Sequence, residues 1–170
     1  MPAPSGNKSS TPSSRLRDLG IVLPSPPTPL GTYMEAAEAG NLLFLSGTLP
    51  VVNRKLAISG RLGENLSVKD GQKAVRIASL NALAAAKEHL GDLDRLKKLV
   101  KLTVLMATTE QFTEHAPVAD GASDLFVQVF GGEAGHVRLV YGVQSLAVGA
   151  PVIVDTIFEL GPVSHSSSIP

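Results

Sequence analysis

Hydrophobic and polar positions follow two different rhythms along this chain. From Leu99 to Ala107 (LVKLTVLMA), Leu102, Val104 and Met106 fall on one side and Lys101, Thr103 and Leu105 on the other, the period of two that a strand requires. The same rhythm runs from Val152 to Leu160: Val152, Val154, Thr156, Phe158 and Leu160 share one face, and Ile153, Asp155, Ile157 and Glu159 share the other with Pro151. Between Val68 and Leu90 the rhythm becomes helical, with Val75, Ala78, Ala82, Ala86 and Leu90 on one stripe. Ser67 and Asp70 supply an S-x-x-D start and Gly91 the stop. The many alanines of this helix would let it lie close to a sheet. A second helix is predicted from about Val118 to Phe130, ended by Gly131-Gly132.

Four further stretches read as extended. Thr32–Glu38 and Leu42–Ser46 flank a tight turn at Ala39-Gly40-Asn41, which predicts a hairpin, and Lys55–Leu62 adds a short excursion around Gly60. Val137–Ser145 and Val152–Leu160 read as a closing hairpin. The order is strand pair, helix, strand, helix, strand pair, an α+β domain with two helices on one face of a mixed sheet. The opposite face carries too many apolar residues to sit in water, so self-association is expected to cover it. The single domain spans 15–160. The Ser- and Pro-rich ends, 1–14 and 161–170, are expected to be disordered tails, and the four prolines between Leu16 and Gly31 suggest an irregular strap over the domain.

Composition narrows the function more than the fold. The chain has 170 residues, 44% apolar and 18% charged, which suits one compact domain. Fifteen Lys plus Arg balance fifteen Asp plus Glu, so there is no net field to draw in nucleic acid or an anionic membrane. There is no cysteine, which excludes disulfides, thiolate nucleophiles and Cys-based metal sites. No secretory signal or apolar span of about 20 residues occurs, and a soluble, cytoplasmic protein is expected.

Known chemical motifs are missing. There is no P-loop, dinucleotide fingerprint, G-x-S-x-G elbow or H-E-x-x-H, and His89, His115, His136 and His165 share no metal-ligand spacing. Neither a metal nor a cofactor is expected. FGGEAG reads as a helix stop and turn. Arg138 stands out as a charge near the start of an apolar strand, on the face of Val140 and Gly142. A partly desolvated guanidinium needs a partner. That partner could be a carboxylate of the adjoining strand, Asp155 or Glu159, or an acidic ligand that the planar fork grips with two parallel bonds.

Several segments together resemble the RidA/YjgF family, often labelled endoribonuclease L-PSP. They are LGTYMEAAEAGNLLFLSGTLP, the block through KLTVLMAT, VADGASDLFVQVFG and HVRLVYGVQSLAVGAPVIVDTIFEL, and they cover about Leu16 to Leu160. AGNLLFLSG and GASDLFVQVFG followed by an arginine strand are similar to a subgroup with a longer amino-terminal strap. The resemblance implies a chorismate-mutase-like fold, a homotrimer whose sheets form a central barrel, and inter-subunit clefts. In deaminating members such a cleft takes the imine or enamine of the 2-aminoacrylate type, and water converts it to a 2-keto acid and ammonia.

Carried over residue by residue, the carboxylate-binding arginine falls on Arg138 and the cleft-lining strand residue on Val140. The tyrosine of the family's G-P-Y falls on Tyr33, and the glycine of its SGQ-P segment on Gly47. Asp120 stands where the family usually has asparagine. Tyr33 also reads as a packed strand residue, Gly47 as a turn and Asp120 as a helix cap. The glutamate that positions the attacking water falls on Ile153, which can do neither acid nor base work. Asp155 shares the face of Ile153, but one strand repeat is nearly 7 Å, beyond the roughly 3 Å reach of a general base. Asp155 is the catalytic candidate only if the substrate sits differently or a water chain intervenes. The expected function is a trimer that holds a small carboxylate metabolite and hydrolyses reactive imines, with a non-catalytic carboxylate binder as the alternative. Neutral net charge and 4% aromatic residues argue against a nucleic-acid role.

Overall fold

A computed structural model of the chain describes residues 11–26, 31–132 and 135–162. The expected tails therefore lie outside the described residues over 1–10 and 163–170, as do Glu133 and Ala134 of FGGEAG. Among the described residues, seven strands and three α-helices follow in the order α1 (Pro12–Asp18), β1 (Ala36–Ala39), β2 (Leu42–Leu45), β3 (Val51–Val52), β4 (Lys55–Leu56), α2 (Val68–Leu90), β5 (Leu96–Ala107), α3 (His115–Phe130), β6 (Val137–Val143) and β7 (Val152–Leu160).

Helix α2 begins and ends where its rhythm does. The Ser67 hydroxyl accepts from the Asp70 amide and the Asp70 carboxylate accepts from the Ser67 amide, while Gly91 closes the helix at φ 73°. Helix α3 starts three residues earlier than expected, since Pro117 still falls in the first turn, where a missing N–H costs nothing. Helix α1 lies partly in the stretch expected to be a tail. Seven residues cannot sustain a helix alone. Thr11 caps it, Pro12 opens it, Leu16 is buried, and the Ser13 amide donates to Asp94 Oδ1 at 2.8 Å. A third helix thus joins the two that were expected.

The main sheet runs β1-β2-β7-β5-β6, and β3 and β4 form a separate two-stranded hairpin. All neighbours in the main sheet are antiparallel except β5 and β6, which are parallel and joined through α3. The expected closing hairpin of Val137–Ser145 with Val152–Leu160 does not form. Strand β5 lies between β6 and β7, because β7 bonds to β2 on one edge and β5 on the other. Eight intervening residues, 144–151, carry the chain past β5 instead of folding back as a turn.

Both long helices cover the face bearing Leu102, Val104, Met106, Val152, Val154 and Phe158, all fully buried. The rings of Phe126, Phe130 and Phe158 meet there at centroid separations of 6.5, 5.9 and 5.8 Å. On the opposite face, Phe44 lies beside Ile157, and Ile153 lies beside Leu105, which lies beside Tyr141. No described helix covers these residues, and Phe44, Leu139 and Tyr141 remain exposed.

Helices α2 and α3 approach closely at Gly121, where an added Cβ would lie 2.6 Å from the Gln72 carbonyl oxygen and 2.9 Å from its Cα. Backbone cannot yield as a flexible side chain can. Gly121→Ala should destabilise the protein by about 1–3 kcal/mol in a urea unfolding experiment, the usual cost of overpacking. Gly132→Ala, with nothing within 4 Å of its added methyl, should shift stability by no more than about 0.5 kcal/mol.

Candidate functional site

Arg138 is the second residue of β6, an edge strand. Because β6 runs alongside β5 and pairs Arg138 with Leu102, strand alternation directs Arg138 to the helix-covered face and toward α3. There its Nη1 donates to Asp120 Oδ1 at 2.7 Å and to Ser123 Oγ at 3.1 Å. Asp120 and Ser123 are three apart on α3 and so share a face. Ser123 Oγ also lies 3.1 Å from His136 Nε2. Burial, and then the Arg138 charge, lowers the pKa of His136 and favours the neutral ring. A neutral His136 can accept the Ser123 proton at Nε2, leaving the serine oxygen for Arg138.

The carboxylate partner of Arg138 is therefore Asp120, neither Asp155 nor Glu159. Asp155 pairs with Thr103 on the opposite face of the sheet, and Glu159 is held by Lys97 at 2.7 Å and Lys98 at 3.3 Å. The side chains of Arg138 and Asp120 are 27% and 52% exposed. Water screens a pair this open to less than about 1 kcal/mol. An incoming carboxylate could take the place of Asp120 at little cost. Val140, two residues along on the same face, pairs with Val104 and packs partly buried against the core.

The other residues picked from the sequence gather at the far end of β2 and β7. Phe44 pairs with Ile157 and Thr48 with Val154, so four steps along one strand (44 to 48) match three along the other (157 to 154). The extra residue is a β-bulge around Ser46 and Gly47. Its absent side chain matters: a Cβ on Gly47 would lie 2.7 Å from Ile153 Cγ2. Asp155 lies across from this bulge, two residues from Ile153.

Gly47 and Tyr33, the latter 49% exposed, also line a cavity of about 1050 Å³. One wall is the strap at Val22–Pro26, and another is the β3–β4 hairpin. Asn81 of α2 pins that hairpin by donating its Nδ2 to the carbonyls of Leu49 and Val51 at 2.8 and 2.9 Å. Glu35 lines the same cavity and was not picked out from the sequence. Its signal there is alternation alone, two residues after Tyr33. Ser123 and His136 were missed as well; their signal is helical spacing from Asp120 and strand spacing to Arg138.

One chain does not bring the two groups together. Strands β7 and β5 separate β2 from β6, which at strand spacing is about 14 Å. Arg138 and Ile153 also point to opposite faces. Among the described residues, no cluster of three or more His, Asp or Glu could hold a metal ion, and no helix is long and apolar enough to cross a membrane.

Comparison with known proteins adds ancestry to this geometry. The family model described as "YjgF/chorismate_mutase-like, putative endoribonuclease" matches residues 13–160. Protein TCP17 of Trypanosoma cruzi is 42% identical over 149 residues, covering 87% of this chain and 93% of that protein. A "putative endoribonuclease" from Shewanella oneidensis MR-1 is 34% identical and superposes with a TM-score of 0.84, covering 88% of this chain and 99% of its own. RidA from the Antarctic bacterium Psychrobacter sp. PAMC 21119, at 22% identity, TM-score 0.54 and coverage of 80% and 94%, shares the fold.

The lowered pKa of His136 has a testable sign. The unfolded imidazole takes up a proton near 6.5 while the folded one resists, so its contribution to stability is complete above that value. It is lost as pH falls from there through the lowered folded value. Native protein should therefore lose more stability than His136→Gln over this interval, read as the urea midpoint against pH.

Proposed function

The chain belongs to the YjgF/chorismate mutase-like family, and from that membership we propose that it forms a homotrimer with clefts for a small carboxylate-bearing metabolite. In each cleft, Arg138 of one copy faces the Tyr33, Gly47 and Ile153 region of the next. The substrate class is a reactive imine or enamine of the 2-aminoacrylate type, hydrolysed to a 2-keto acid and ammonia.

The observation that carries this reading is the Arg138 seat. Its guanidinium already holds a carboxylate at 2.7 Å, on an exposed edge, in a pair that water keeps weak. A substrate carboxylate offers the same chemistry with two oxygens free to bond in parallel. Separation of the two residue groups within one chain supports a second copy as the supplier of the missing half. The apolar face bearing Phe44, Ile153, Leu105, Leu139 and Tyr141 supports it too, since an uncovered patch of this kind marks an association surface.

A second reading has its own observation. Ile153 stands against Gly47 where the resemblance expects a water-positioning glutamate, which favours a trimer that binds a carboxylate without turning it over. RNA cleavage gains no support from a net charge of +0.

Ammonia release from freshly generated 2-aminoacrylate and 2-iminobutyrate separates the two catalytic outcomes. Acceleration well above buffer is expected, and Arg138→Ala should weaken kcat/KM about 10–100-fold, the worth of charged hydrogen bonds to a carboxylate. A native rate equal to that of buffer would leave only the binding reading, testable by titration with 2-ketobutyrate. In sedimentation equilibrium the native mass should be three times 17.7 kDa, and Leu139→Asp should reduce it toward one.

A further inference from the structure

The cavity beneath the strap is built at a cost in backbone strain. Three non-glycine residues among those described have positive φ: Asn53 at 51°, Arg54 at 63° and Val148 at 54°. All three line this cavity. The Asn53-Arg54 pair forms the two-residue turn of the β3–β4 hairpin, a conformation that suits asparagine and ordinarily selects glycine next. Val148 is branched at Cβ and has no such excuse. Such strain persists only where surrounding structure enforces it, and it concentrates at ligand sites.

Within this cavity Glu35 carries an unused carboxyl group. It makes no hydrogen bond or ion pair with any described residue. Its own carbonyl accepts from the Ser46 amide at 2.9 Å, which sets it directly across from the bulge at Ser46 and Gly47. Alternation from buried Ala36 puts Glu35 on the other face of the sheet, the face of Phe44, Ile153 and Asp155. Gly47 in turn abuts Ile153. Glu35 thus stands immediately before β1, two strand spacings or about 10 Å from the place on β7 where the resemblance expects a carboxylate, with the side-chain-free Gly47 on the intervening segment.

We propose that Glu35 is the proton-transfer residue of the cleft, replacing the glutamate absent at position 153. This rests on the imine-hydrolase reading above. The substrate enters as an iminium 2-carboxylate. Water adds its oxygen to the iminium carbon while Glu35 takes one water proton, and the C=N electron pair moves to nitrogen. Glu35 then returns that proton to the nitrogen of the resulting carbinolamine. The C–N bond breaks with its electrons on nitrogen, the hydroxyl loses its proton to the departing ammonia, and the 2-keto acid and an ammonium ion remain. No oxidant, reductant or metal enters the balance. Burial raises the pKa of the Glu35 carboxyl, the direction that suits a base working near neutrality.

The test compares native protein with Glu35→Gln, Glu35→Asp and Asp155→Asn, by ammonia release from 2-iminobutyrate and by titration with 2-ketobutyrate. Glu35→Gln should lower kcat about 10²–10⁴-fold with KM and 2-ketobutyrate affinity unchanged; a loss of that size in Asp155→Asn beside a native rate in Glu35→Gln would assign the proton transfer to Asp155 and overturn the proposal. Should Glu35→Gln fail to fold, Glu35→Asp decides. A drop in kcat of about tenfold or more at unchanged KM supports the role, and a native rate overturns it. A Glu35→Gln enzyme as fast as native overturns this inference and leaves the deaminase reading standing. A native protein no faster than buffer overturns both.

Discussion

The parallel pairing of β6 onto β5 governs what the rest of the molecule can do. A parallel neighbour cannot be reached by a tight turn, so α3 must carry the chain from one end of β5 back to the start of β6. That crossover lays α3 over β6 and sets the register in which Arg138 stands beside Leu102. The guanidinium consequently faces Asp120 and Ser123 of the helix, with His136 behind them. One residue of slip would exchange the two faces of β6, sending Arg138 to the apolar side of the sheet and leaving it without an acceptor.

The same pairing confines β6 to the edge and leaves β7 between β2 and β5. Strand β7 is buried along its helix face from Val152 to Leu160, which anchors the sheet, while Ile153, Asp155 and Ile157 point the other way. The residues that matter chemically are thus split by sheet geometry: a cation on one face at the edge, and a glycine, an isoleucine and two carboxylates on the other face near the bulge. Close packing around α2 permits little adjustment of this arrangement. Gly121 lets α2 and α3 approach to backbone distance, Gly71 makes room for the side chains of Leu62 and Val118, and a single added carbon at either would collide with its neighbours.

The bulge at Ser46 and Gly47 is the second organising feature. By adding one residue to β2 it bends the strand away from β7 and opens the floor of the strap cavity, bringing Gly47 against Ile153. Thr48, immediately beyond, restores the pairing. Its amide and carbonyl bond to Val154, and its buried hydroxyl lies 3.0 Å from the carbonyl of Ala78 on α2. The cavity therefore has a fixed floor and, in the hairpin pinned by Asn81, a fixed wall.

Local chemistry in the sequence determined the elements whose signals are self-contained. Helix α2 was legible from its stripe, its capping box and Gly91, and β5 and β7 from alternation, because these depend on residues a few positions apart. Arg138 was legible as a charge needing a partner, and the apolar far face as a surface needing cover. What the sequence could not decide was which partner and which neighbour. The eight residues between β6 and β7 are compatible with a hairpin, and only competition among strands for β5 and β2 excluded one. Helix α1 is too short to be read locally and exists through Leu16 and the bond to Asp94. Asp120, Ser123 and His136 meet Arg138 because a crossover helix lies over an edge strand. Glu35 faces the bulge because two strands pair in one register, a long-range arrangement set by packing and invisible to any window of neighbouring residues.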